Sequence, residues 1–299
     1  MTDHTKQKIL VALDGSDRAF EAIRYISGLP PFQQMHLVLF TILDKIPEIY
    51  WDLGQGDMYS HRIKEAQAWQ ATKQQEIEAY MKNAQMNLLK FGFSEDAVSV
   101  KIQERKIGAT RDIIKEAKRG YSAVVIGRKG HSKIKGLIFG SVATKLLASL
   151  DFVPLLVVGR FPASKKVLVA MDGSDASIRT VDYLGETLRN CDCDVTLIHV
   201  IRGEEKDFME KAKKRITPVF SMATSHLESW GFGPSHISTK IITGAVSRAG
   251  SIVREAEEGG YGTIAVGRRG ISQVREFAFG RVSNKVVQLA GKQVVWVVN

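Results

Sequence analysis

Apolar positions fall in short runs rather than long stripes. The segments 8–13, 37–43, 97–103, 123–126 and 154–158 are a few residues each and mostly rich in Val, Ile and Leu. Runs this short and this uniformly apolar predict strands covered on both faces. Between them, helical spacing runs over 17–27, 65–90, 110–118 and 142–148, with polar starts such as Asp17 and Ser141. Regular alternation of strand and helix predicts a doubly wound α/β fold, a parallel sheet with helices on both faces.

The pattern then starts again. KILVALDGSD from Lys8 to Asp17 returns as KVLVAMDGSD from Lys166 to Asp175, and YSAVVIGRKG from Tyr121 returns as YGTIAVGRRG from Tyr261. Phe91-Gly92-Phe93 answers to Trp230-Gly231-Phe232. A repeat on this scale sets the architecture. Two α/β domains in series are expected, 1–160 and 161–299, divided near Gly159 to Ser164, where Pro162 separates two apolar runs. The first copy carries about 19 extra residues around 44–73, including Tyr50 and Trp51, which suit a lid or a partner surface.

Composition removes several classes. The 299 residues contain no apolar run of about 18, and the polar start has no signal-peptide core, so a cytoplasmic protein without a membrane span is expected. Cys191 and Cys193 are the only cysteines and give no disulfide framework; two free thiols are expected. The net charge is +10, six units before residue 161 and four after, which points to an anionic partner shared by both halves.

The chemistry concentrates after the fourth strand. Gly127-Arg128-Lys129-Gly130, nine further residues and Gly140-Ser141 lead directly into a helix. Glycines let backbone approach a ligand or adopt positive φ, and successive free N–H groups with a helix N-terminus attract phosphate. Arg128, Lys129, Lys133 and Lys135 add charge, with no acid in the loop. Ser141 offers its hydroxyl either to phosphate or to its own helix as a cap. The Gly-x4-Gly-Lys-Ser/Thr loop is absent, and Gly54 and Gly56 only approach Gly-x-Gly-x-x-Gly inside an irregular insertion. For the glycines alone, a tight strand-to-helix turn is the competing explanation.

Together, Gly-x2-Gly-x9-Gly-Ser after the fourth strand and Val-Ala-x-Asp-Gly-Ser after the first resemble the universal stress protein family, over essentially the whole chain as two tandem copies. The resemblance implies five-stranded parallel sheets of order 3-2-1-4-5, like the adenine nucleotide alpha hydrolases, with ATP at the carboxyl edge. It places Ala12, Asp14 and Ile42 around adenine and ribose. Ile126, Gly127, Arg128, Gly130, Gly140, Ser141 and Val142 follow along the phosphate loop. Asp14 would contact ribose or reach Mg²⁺ through water, against the simpler role of turn-former. Ala143, followed by Thr144, stands where the family often has a hydroxyl.

In the second copy the corresponding residues are Ala170, Asp172, Val200, Val266, Gly267, Gly270, Gly280, Arg281, Val282 and Ser283. Arg281 replaces the usual Ser or Thr; it either contacts phosphate or fills an empty phosphate pocket. ATP, AMP and ADP all remain candidate ligands.

The other candidates are weaker. A receiver-type phosphoacceptor needs an Asp after the third strand, where this chain has Glu104-Arg105-Lys106-Ile107-Gly108. His199 reads as a core or site-edge histidine, and the run Lys211, Lys213, Lys214, Arg215 as a solvated helix face. No nucleophile-and-base set assembles, so at most weak ATP hydrolysis is expected. The reading is an ATP-binding stress-response or signalling module. The alternatives are a slow ATPase, or an interaction protein that binds no nucleotide and has a degenerate second site. An unknown protein partner is expected. Nucleic acid is not, for want of a recognised module and aromatic platforms. The two exposed fifth strands are expected to pair within the chain as a pseudo-dimer, with a homodimer left open.

Overall fold

A computed structural model gives the fold and describes residues 7–44, 57–129, 140–160, 164–270 and 279–299. In the first half β1 (Lys8–Ala12), α1 (Phe20–Ser27), β2 (His36–Leu43), α2 (Asp57–Lys90), β3 (Val98–Glu104), α3 (Ala109–Ala117), β4 (Ala123–Gly127), α4 (Ser141–Ser149) and β5 (Leu155–Val158) follow in order. The second half repeats them as β6 (Val167–Ala170), α5 (Asp175–Leu188), β7 (Val195–Arg202), α6 (Lys206–Ser229), β8 (Ile237–Ala245), α7 (Arg248–Glu258), β9 (Thr263–Gly267), α8 (Arg281–Leu289) and β10 (Val294–Val298).

All ten strands form one sheet, in the order β3-β2-β1-β4-β5-β10-β9-β6-β7-β8. Each half is parallel throughout with the 3-2-1-4-5 order, and β1, at the centre, lies between β2 and β4. The two fifth strands meet antiparallel, Leu156 opposite Trp296, so neither leaves an open edge. Their side chains are buried on both faces, which is why they read as unbroken apolar runs.

An aromatic cluster covers the seam. Trp296, fully buried, donates its indole N–H to Tyr25 Oη at 2.7 Å, and Tyr25 Oη is 3.0 Å from Thr263 Oγ1. Tyr183, the counterpart of Tyr25, donates to the Ser122 carbonyl at 3.2 Å. Rings of Phe32 and Tyr183 meet Trp296 edge-on. Each half thus places one tyrosine in the other.

Three expectations need correction. Helix α1 begins at Phe20 rather than Asp17, because Ser16 opens a turn whose carbonyl and Oγ both accept from Ala19 N. Helix α2 begins at Asp57, so the later part of the insertion is helical; Tyr50, Trp51, Gly54 and Gly56 lie outside the described residues. Cys191 and Cys193 are joined as a disulfide rather than free. Asn190, with φ 61°, turns the chain after α5, and the two cysteine Cα atoms lie 5.1 Å apart, within disulfide reach. Among the described residues no helix is long and apolar enough to cross a membrane.

Candidate functional site

The carboxyl ends of β1 and β6 each run into the same turn. Asp14 Oδ1 accepts from Ser16 N at 3.1 Å and from Ser16 Oγ at 2.6 Å; Asp172 repeats this with Ser174 at 3.0 and 2.6 Å. The residue between must take positive φ, and both are glycine, Gly15 and Gly173 at 82°. The aspartates therefore do shape the turn, and the turn sets each carboxylate at the mouth of a cavity.

The first cavity, about 350 Å³, opens between the ends of β1, β2 and β4. Ala12, Asp14 and Ile42 line one side. Ile126, Gly127, Gly140, Ser141 and Val142 line the other. Gly130, His131, Lys133 and Lys135 lie outside the described residues. Helix α4 is capped by Gly140, so Ser141 is its first helical residue and its exposed hydroxyl is not the cap. Ala143 is buried in the wall, and the neighbouring Thr144 hydroxyl turns back to the Gly140 carbonyl at 3.0 Å.

The second cavity, about 400 Å³, is built alike. Ala170, Asp172 and Val200 line its β6 and β7 side. Val266, Gly267, Gly270, Gly280, Arg281, Val282 and Ser283 line the opposite side. Ser283 Oγ donates to the Gly267 carbonyl at 2.6 Å, which ties α8 to the end of β9.

The described loop glycines are not at positive φ; close approach is what requires them. A Cβ on Gly127 would lie 3.3 Å from Ala19 Cα, and one on Gly267 would lie 3.0 Å from the Ala176 backbone. A Cβ on Gly270 would collide with Asp172 Oδ2.

Arg128 is not placed to bind phosphate. Its buried guanidinium turns away from the first cavity and donates to the carbonyls of Val287 and Ala290, both at 2.6 Å, and of Gln288. These are end carbonyls of α8, in the other half. Arg268 reciprocates, donating to Leu150 and Leu147 at the end of α4 at 2.7 and 2.6 Å. Burial pulls the Arg128 pKa down to about 10, so it stays charged at pH 7.

Several cavity residues escaped the sequence analysis. Arg105 lines the first cavity and pairs with Asp44 at 3.0 Å, beside Lys129, which the loop had already marked. Asp112, at 2.9–3.3 Å from the N–H groups of Lys106, Ile107 and Gly108, shapes the loop that follows Arg105. Arg215 lines the second cavity while its side chain stays exposed, as expected for the solvated face of its run. Arg248 and Arg269 join it there. His199 lies at the same site, its Nδ1 2.7 Å from the Met171 carbonyl, and burial lowers its pKa.

The model of the universal stress protein family matches residues 6–159 and again 163–298. The chain belongs to the universal stress protein family. This tandem universal stress protein is 27% identical over 144 residues to the universal stress protein YxiE of Bacillus subtilis, spanning 42% of this chain and 93% of that one. A universal stress protein structure from Archaeoglobus fulgidus aligns with a TM-score of 0.67 at 20% identity, covering 98% of both chains. A putative universal stress protein from Pseudomonas aeruginosa aligns at 0.59 and 17%, covering 98% of this chain and 93% of that one. At those identities the structural likeness speaks for the fold.

Proposed function

We propose that this universal stress protein binds an adenine nucleotide in each cavity and acts as a nucleotide-dependent stress-response or signalling module, with at most weak hydrolysis. Its working units are the domains 1–160 and 161–299, and it passes its state to an unidentified protein partner. One observation carries the reading. At the carboxyl edge of each half-sheet, an apolar-walled cavity ends at glycines packed against a helix and at a second helix's N-terminus. Apolar walls suit a base, and the N-terminal N–H groups suit phosphate.

Asp14 and Asp172 offer one carboxylate each, and among the described residues no three His, Cys, Asp or Glu side chains gather as a metal-holding group. That donor set fits Mg²⁺ as the companion of a bound phosphate chain, reached through water.

Isothermal titration of the nucleotide-stripped protein with ATP and Mg²⁺, beside Ser141→Glu and Arg281→Glu, tests the proposal. Both side chains are exposed at the first helical position, where an acid complements the helix dipole; the helices should hold while phosphate is repelled. Two sites per chain should fall to one in either single variant and to none in the double. Absence of heat together with failure to displace a fluorescent adenine nucleotide would reject the reading in favour of an interaction protein.

A further inference from the structure

The two cavities share apolar walls but differ in charge. Aligned through the repeat, Arg248 on α7 stands where α3 has Ala109, and Arg281 on α8 stands where α4 has Ser141. Arg215 on α6 stands where α2 has Glu76. Arg269 keeps the charge of Lys129. Every one of these four arginines lines the second cavity, and among its described lining residues Asp172 is the only carboxylate.

Among its described lining residues the first cavity sets Arg105 and Lys129 against Asp14 and Asp44, and Arg105 is already paired with Asp44. An adjoining cavity of about 360 Å³ shares both aspartates and adds Glu76, which is paired with Lys73 at 2.6 Å. In the second half Arg215, Arg248 and Arg269 form no ion pair with a described carboxylate. The cations also arrive from separate directions, from α6, α7, α8 and the end of β9. Arg248 is held in part by the Val200 carbonyl, 3.3 Å from its Nε. Several guanidiniums converging on one cavity repel one another unless an anion neutralises them.

We infer that the second cavity is a polyanion-selective site for a nucleoside polyphosphate with three or more phosphate groups, whereas the first takes nucleotides with little dependence on phosphate number. This rests on the nucleotide reading above and adds which cavity discriminates by charge. The replacement of Ser or Thr by Arg281 is then not the loss of a phosphate site. It is one of the substitutions that retune it.

The test uses the full chain and the double variant Arg215→Glu, Arg248→Ala, which gives the second cavity the charges found at the matching positions of the first. Both side chains are exposed, and a thermal melt checks that the fold is kept. AMP, ADP, ATP, adenosine 5′-tetraphosphate and inorganic tripolyphosphate are titrated, with Ser141→Glu present throughout to silence the first cavity. A parallel series with Arg281→Glu isolates the first.

Affinity at the second cavity should climb with each phosphate and weaken steeply with salt. The double variant should lose about tenfold or more for ATP while changing little for AMP. Tripolyphosphate should compete at the second cavity only. If adenine nucleotides fail to bind but tripolyphosphate binds and is lost in the double variant, the nucleotide reading falls and the charge assignment stands. If nucleotides bind both cavities with the same dependence on phosphate number, the assignment is overturned and the nucleotide reading survives. If neither nucleotide nor tripolyphosphate binds, both are overturned.

Discussion

Replacing Arg128 with Met keeps the apolar stem and removes the guanidinium, which makes it a clean probe of the contact between halves. The native side chain is 8% exposed and donates to three carbonyls at the end of α8. A hydrogen bond involving a charged group contributes roughly 1.5–3 kcal/mol, and an orphaned buried carbonyl costs about 1–3 kcal/mol. The cost of burying the cation offsets part of this, so the sum of three bonds overstates the effect. A net loss of about 3 kcal/mol is expected from the shift of the urea midpoint, on the scale for truncating one side of a buried polar contact. Arg128→Lys should recover little, because an ammonium cannot span three carbonyls as the planar fork does. Hydrogen exchange supplies the sharper test. Protection should fall at the end of α8, about 160 residues away in sequence, and not at the end of α4. Arg268→Met should do the reverse. A loss below about 1 kcal/mol, or loosening in the helix of the same half, would refute the crossed-cap argument.

Three further outcomes follow from single contacts. At Gly159 a Cβ would lie 2.7 Å from the carbonyl oxygens of both Gln293 and Gly291, so Gly159→Ala should cost about 1–3 kcal/mol in urea unfolding. Burial works to raise the Asp112 pKa, but the N–H groups of Lys106, Gly108 and Ile107 outweigh it and leave it lowered. Its stabilisation is therefore present above the unfolded value of about 3.9 and is lost as pH falls through the lower folded value; Asp112→Asn should flatten that acid limb of stability. His199 is lowered first by burial and then by Arg248 and Arg215, against the Met171 carbonyl and Asp172. Below its unfolded value of about 6.5 the unfolded chain binds the extra proton, so stability should decline as pH falls toward the folded value and then level off. His199→Gln should remove that step from a series of melts.

Much of the fold was legible because burial on both faces leaves a plain mark. Strands such as Leu155–Val158 and Val294–Val298 are apolar at every position, and the repeated turn and loop fixed the tandem plan. The start of α2 was not legible because its early sequence carries no apolar stripe, and from Lys64 to Trp69 the side chains are mostly exposed. Polar Asp17 looked like a cap, yet Ser16 makes the turn and Ala19 precedes the helix. The disulfide was not legible because two cysteines two residues apart do not announce the local backbone that brings their sulfurs together.

Arg128 misled the sequence reading, and the repeat itself holds the means to set it apart from Arg281. Arg128 sits in a glycine loop beside a helix N-terminus, so proximity in sequence made it resemble a phosphate ligand; its acceptors lie in a helix that only the tertiary fold brings near. Yet the same residue recurs as Arg268, and both copies need the same crossed cap whatever they bind. For Arg128 and Arg268 the position kept in both copies carries a shared structural task. Positions that differ between copies at matched places, such as Ser141 against Arg281 or Ala109 against Arg248, are where the cavities diverge. The loop motif drew attention only to Arg281. Arg215 and Arg248 stand on α6 and α7, and nothing in their local sequence marks them until the sheet edge gathers these elements around one opening. Charge at that opening is a property of the assembled fold, and comparison of the two halves within one chain is what exposes it.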